Sequence, residues 1–143
     1  MTQDTTGPAF PCEGGAENGL YDEEFEASGF TCKIIVHTTL GHLCGYVRLP
    51  ADHPMWGKDY DDVTADVHGG LTYARDHAPL DESDGGWWLG FDCAHYGDLV
   101  PSVVEQAGLP PRDHETLRDN RFVRCELKRL AQQLAATHPQ NKD

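Results

Sequence analysis

Apolar and polar positions alternate in short bursts through most of the chain and take up helical spacing only near its end. Val123, Leu127, Leu130 and Leu134 follow at steps of four, three and four, which predicts one apolar helix face. Asp113 or Asp119 can cap that helix and Pro139 can stop it. Its other face carries Arg121, Arg124, Lys128 and Arg129, read first as a solvated surface. Upstream, residues 30–38 (FTCKIIVHT) are rich in β-branched side chains, and 43–49 (LCGYVRL) return after the turn formed by TLGH, so the two predict a hairpin. Residues 20–29 (LYDEEFEASG) predict a short acidic turn or helix whose Leu20, Tyr21 and Phe25 touch the body. Residues 64–68 and 71–73 flank Gly69-Gly70 and predict two short strands about a turn or bulge. A surface loop is expected over 76–86, a buried strand over 86–93 (GWWLGFDC), and a loop over 94–112 with one helical turn at 102–106. The expected architecture is α+β: an antiparallel β-sheet of four to five strands with a C-terminal α-helix packed on one face.

With 143 residues, 38% of them hydrophobic, the chain suffices for one domain with a modest core. Residues 1–19 read as a flexible acidic lead, 20–138 as a single α+β domain and 139–143 as a disordered C-terminus. No stretch approaches the roughly 18 consecutive apolar residues of a membrane span, and the start lacks the basic-then-apolar pattern of a secretory signal. The cytoplasm is therefore the expected compartment. Eleven Lys and Arg against 24 Asp and Glu give a net charge of -13, which argues against direct nucleic-acid binding and against an anionic membrane surface. Seven of those acids fall within residues 1–28, which hold no Lys or Arg, so the body is closer to neutral. Cys12, Cys32, Cys44, Cys93 and Cys125 form no C-x-x-C pair and are odd in number, so reduced and mostly buried thiols are expected.

Chemistry concentrates between His53 and Asp98. Asp66 and His68 are two apart, which in a strand puts both on one face. Asp92, His95 and Asp98 stand three apart at a strand exit, where a tight turn would make them converge. These five side chains offer nitrogen and oxygen ligands to a divalent metal, Zn, Mn or Fe. The plainer alternative is that each Asp accepts backbone hydrogen bonds in its turn and orients the neighbouring His. No H-E-x-x-H or P-C-x-x-C signature occurs. Cys93 before His95 and Cys44 after His42 are weak candidates for a nucleophile, because near neighbours in sequence seldom face one another. Trp56, Tyr60, Tyr73, Trp87, Trp88, Phe91 and Tyr96 crowd the same region. Trp87 and Trp88 alternate across a strand, so one of them faces away from the main core, toward a ligand or partner or under the helix or the 53–63 loop.

The segments GHLCGYVRLP, HPMWGKDYDDV, DVHGGLTY, WWLGFDCAHYGD and RFVRCELKRLAQQLA, in that order, resemble a family of small uncharacterised phage and prophage proteins. The resemblance spans about residues 41–135; Arg48 and Met55 depart from its usual smaller or more aliphatic residues. It implies no activity. It implies a setting, a phage accessory protein in the cytoplasm of a bacterial host, acting on host physiology or defence.

Three functions are compatible with these features, and the sequence leaves open whether the protein is an enzyme. The first is binding of a small polar, nucleotide-derived type of ligand between loops 53–62 and 92–98. There Tyr60, Tyr73 and Trp87 or Trp88 would stack, Lys58, His68 and His95 would meet charged groups, and Asp62 and Asp92 would accept hydroxyl protons. The second is a metal-dependent hydrolase built on Asp66, His68, Asp92, His95 and Asp98. The third is an acidic interaction module that blocks a host protein. A homo-oligomer is compatible with all three.

Overall fold

The β-branched run after Gly29 pairs on both sides, forming the second strand of a five-stranded antiparallel sheet in a computed structural model. The structure describes residues 20–82, 85–95, 98, 100–101 and 116–137. The expected acidic lead, the helical turn at 102–106, Tyr96, Asp113, Pro139 and the C-terminus lie outside these residues. Strands β1 (Glu23–Ala27), β2 (Phe30–Val36), β3 (Leu43–Leu49), β4 (Tyr73–Arg75) and β5 (Trp87–Asp92) lie in the order β1-β2-β3-β5-β4. Helix α1 (Asn120–Thr137) packs across one face, so the fold is α+β.

Period two decides which side chains meet the helix. Cys32 and Ile34 of β2, Leu43, Val47 and Leu49 of β3, and Leu89 and Phe91 of β5 are buried together with Val123, Leu127, Leu130, Ala131 and Leu134 of α1. Gly45 lies in the same row. A β-carbon there would stand 2.8 Å from the Phe91 ring and 3.0 Å from Val123, so the missing side chain lets both fill the space. Asp119 is the cap of α1, its carboxylate accepting from the Phe122 N–H at 3.0 Å.

Two elements differ from expectation. Residues 23–27 form a strand, not an acidic turn or helix, because Ser28 and Gly29 both take positive φ (52° and 87°) and turn the chain back on β2. Glu23, Phe25 and Ala27 then face the helix side, while Glu24 and Glu26 point to solvent. Residues 64–68 are a strap, not a strand, because helix side chains satisfy their backbone. Gln133 accepts from the Asp66 N–H at 2.7 Å and donates to the Asp66 carbonyl at 2.8 Å, while Glu126 accepts from the His68 N–H at 2.8 Å. The second expected piece, 71–73, is displaced: β4 spans Tyr73–Arg75, sharing only Tyr73 with it, and pairs with β5.

The basic face of α1 is engaged with acids of the same chain. Arg124 grips both oxygens of Glu23 at 3.0 Å, and Arg129 meets Asp66 at 3.1 Å. Burial pushes the Glu23 carboxyl up, but hydrogen bonds from Arg124 and Asn120 and the nearby charges of Arg124 and Lys128 hold it below its ordinary value. Of the cysteines, Cys32, Cys44 and Cys93 are buried free thiols as expected, whereas Cys125 is disulfide-bonded, against the expectation of reduced thiols. No helix among the described residues is long and apolar enough to cross a membrane.

Gly45→Ala should lower stability by about 1–3 kcal/mol, because the added methyl enters a filled space between sheet and helix. A fall in the urea midpoint with unchanged slope is the expected readout; an unchanged midpoint would contradict this packing.

Candidate functional site

The C-terminal end of β5 and the strap before β4 meet at the same end of the sheet, because the two strands run antiparallel with Tyr73 opposite Gly90. After β5, Asp92 accepts from the Ala94 N–H at 3.3 Å and starts a turn. The turn closes reciprocally: the Asp98 N–H donates to the His95 carbonyl at 2.8 Å, and the His95 N–H donates to Asp98 Oδ2 at 3.0 Å. From the strap, His68 arrives with its N–H held by Glu126 and its ring edge-on to Phe122 at 5.1 Å. Gly69 follows with φ +70°, and a β-carbon there would lie 2.3 Å from Cε1 of His95. The glycine thus serves both the backbone turn and the approach of the imidazole.

Asp98 is the centre. Its side chain is 0% exposed, against 18% for His68 and 34% for His95. His68 Nε2 stands 3.0 and 2.9 Å from its two oxygens, and Arg118 Nε donates to Oδ1 at 2.9 Å. Arg118 in turn lies 4.6 Å over the Phe122 ring. Burial raises the Asp98 pKa, yet the hydrogen bonds from Arg118, His68 and the His95 N–H outweigh it and hold the carboxyl below its ordinary value. It is a buried anion with three donors.

One ligand atom each from His68, His95 and Asp98 lies within 4.8 Å of the others. His95 Nδ1 is buried and hydrogen-bonds to nothing among the described residues; the carboxylates of Asp92 and Asp98 stand 3.4 and 3.8 Å from it. Two donors each about 2.0–2.2 Å from one tetrahedral ion would stand roughly 3.3–3.6 Å apart. The separations of 2.9 Å (His68 to Asp98) and 3.8 Å (His95 to Asp98) lie on either side of that range.

Of the residues singled out in the sequence, His68, His95 and Asp98 come together, and Asp92 adjoins them through His95. Asp66 does not: its side chain is 88% exposed and pairs with Arg129. The aromatic pocket expected between loops 53–62 and 92–98 is divided. Lys58 accepts from the Trp87 Nε1–H at 2.8 Å through its carbonyl, and Trp87 packs against Trp56, ring centroids 5.8 Å apart. Lys58, with Trp87, therefore belongs to the start of β5, about 17 Å of strand from its end, and Tyr60 and Asp62 lie exposed on the short helical turn that follows Lys58. Trp88 is buried on the face opposite the helix, beneath Lys33, and Tyr73 stands beside Tyr46 on that face. Sequence reasoning missed Arg118, Phe122 and Glu126, which reach the site from the region of the helix start across long sequence separations. The left-handed Gly69 was the one local signal of close approach.

The thiols are unsuited to nucleophilic attack. Burial pushes Cys44 up to about 11 and raises Cys93 further, so both are neutral small packing groups. His42 is also buried, and burial together with the stacked His37 ring, 4.7 Å away, lowers its pKa against the opposing pull of Asp92 and Asp98. No protein-family model, curated protein or solved structure matches the chain.

A depressed folded-state pKa for Asp98 means that its stabilisation is present above the unfolded value near 4 and is lost as pH falls through the lower folded value. Asp98→Asn should cost about 3 kcal/mol at neutral pH, since Arg118 and His68 lose a buried anion. Melting temperatures measured from pH 7 to pH 2 should show a smaller acid-induced drop in the variant; parallel curves would contradict the assignment.

Proposed function

We propose that the chain binds one divalent metal ion through His68, His95 and Asp98 and uses it for hydrolytic chemistry. The observation that carries this reading is the buried Nδ1 of His95, which has no hydrogen bond yet points among carboxylates at distances a bridging ion would span. The donor set of two imidazoles and one carboxylate suits Zn, Mn or Fe. Arg118 and the His95 N–H keep Asp98 ionised and fixed, as an outer shell does for a ligating carboxylate. Asp92 Oδ1, 3.4 Å from His95 Nδ1, adds a further carboxylate beside the place the ion would take.

Three protein ligands leave room on the ion for water or substrate. Held by His68, His95 and Asp98, such an ion would supply a water of lowered pKa for hydrolysis of a phosphoryl or acyl substrate. His68 and His95 are partly exposed, so the reacting groups have access to solvent. The family resemblance of the segments supports a phage accessory setting for this chemistry, directed at the bacterial host.

Titration of chelator-stripped protein with Zn²⁺ or Mn²⁺ should show one equivalent bound, with a rise in melting temperature. His68→Ala and His95→Ala should each weaken binding on the order of 100-fold or more. Substoichiometric uptake in calorimetry and elemental analysis, with melting indifferent to chelation, would remove the proposal.

A further inference from the structure

The face of the sheet away from α1 carries a hollow that the metal cluster does not use. Its volume is about 400 Å³, within the usual range of about 300–1,000 Å³ for small-molecule sites. Tyr46 and Tyr73 supply aromatic walls, and Thr72, His37, His42 and Asp92 supply polar edges. The floor depends on a glycine. Tyr46 lies across Gly90, where a β-carbon would stand 2.5 Å from the ring, so any side chain there would displace it. Tyr73 meets Tyr46 edge to face, centroids 5.0 Å apart, and its hydroxyl proton is committed to the His77 carbonyl.

The charge of the lining selects the ligand. Neither Lys nor Arg contributes to it among the described residues, and its one acid is Asp92. Oδ1 of Asp92 accepts from Ala94 and faces His95, whereas Oδ2 has no hydrogen bond among the described residues. Burial and the adjacent His37 lower the His42 pKa, which favours a neutral ring that opposes no cation. A phosphate or carboxylate would meet the Asp92 carboxylate with no Lys or Arg in the lining to offset it, at a cost of repulsion. A flat cation would find a free carboxylate oxygen and the faces or edges of aromatic rings. The net charge of -13 also raises the local concentration of cations.

We propose that this hollow binds a small planar organic cation of the amidinium or guanidinium class, with Asp92 as the anchoring carboxylate and Tyr46 and Tyr73 as stacking walls. The proposal does not depend on metal binding. It also differs from a nucleotide pocket, because no Lys or Arg is among its lining residues to hold a phosphate.

Benzamidinium is a suitable probe, with benzoate as its anionic counterpart of the same shape. Titrated into metal-free, full-length protein and followed by calorimetry and amide chemical shifts, benzamidinium should bind saturably at one site, with shifts confined to residues around 72–73 and 90–94. Benzoate should not bind. Asp92→Asn should weaken the affinity at least tenfold, and Thr72→Trp, which fills the mouth from an exposed position, should do the same without lowering the melting temperature. Absence of saturable benzamidinium binding, equal binding of benzoate, or undiminished affinity in both variants would each overturn the proposal. Because the protein is stripped of metal throughout, any of these results leaves the His68, His95 and Asp98 reading to its own test.

Discussion

A carboxylate removed wholly from water must be matched by donors or it will not stay ionised, and Asp98 is matched three times over. Arg118, His68 and the His95 N–H come from three separate stretches of chain, so the anion sets the positions of all three. The exit of β5, the strap before β4 and the approach to α1 are joined at this point and not merely adjacent. The constraint is directional. An apolar contact tolerates sliding, whereas a buried charge with short hydrogen bonds does not. The His68 imidazole keeps its orientation because the anion holds it, and the His95 backbone is fixed by the same carboxylate.

Helix α1 contributes to the same end in two ways. Its apolar face covers the sheet through Val123, Leu127, Leu130 and Leu134. Its polar side chains do a second job, supplying backbone partners to chain that pairs with no strand. Gln133 and Arg129 hold Asp66, Glu126 holds the N–H of His68, and Asn120 bonds both backbone groups of Tyr21. His53, almost fully buried, donates from Nε2 to the Leu134 carbonyl, 2.8 Å away, and accepts from the Met55 N–H through Nδ1. That second bond assigns the proton to Nε2, so His53 donates to the helix. Polar residues on a surface helix are thus part of the scaffold here, and the basic stripe has partners within the chain.

These facts explain what the sequence disclosed and what it concealed. Local periodicity revealed α1 and the β2–β3 hairpin, because each depends on neighbours within a few turns or residues. Strand β1 was hidden by its three glutamates, which depress strand propensity, although Glu23, Phe25 and Ala27 alternate correctly; the Ser28-Gly29 turn was the overlooked signal. The strap was misread because its backbone partners lie some 60 residues away on the helix. At the site, spacing of three sufficed to join Asp92, His95 and Asp98 through one turn. The same reasoning failed for Asp66, whose same-face relation to His68 required a strand that does not form. The aromatics were grouped by sequence density, but the length of β5 separates Trp87 from Asp92.

The alternation of β5 has one more consequence. Phe91 points into the helix-side core and Asp92 to the opposite face, so the strand ends with an acid on the open side. The following turn then carries His95 back toward the strap and the helix start. Asp92 consequently stands between two environments: Oδ1 faces the His95 ring of the cation-ready cluster, and Oδ2 remains available to the hollow. A carboxylate shared in this way couples the two sites electrostatically. An ion held on His95 Nδ1 would stand beside Asp92 and offset its negative charge toward the hollow, and a cation on the hollow side of Asp92 would reduce the charge facing His95. Occupancy of either proposed site would then oppose occupancy of the other, by an amount set by how far solvent screens a carboxylate that is one-third exposed.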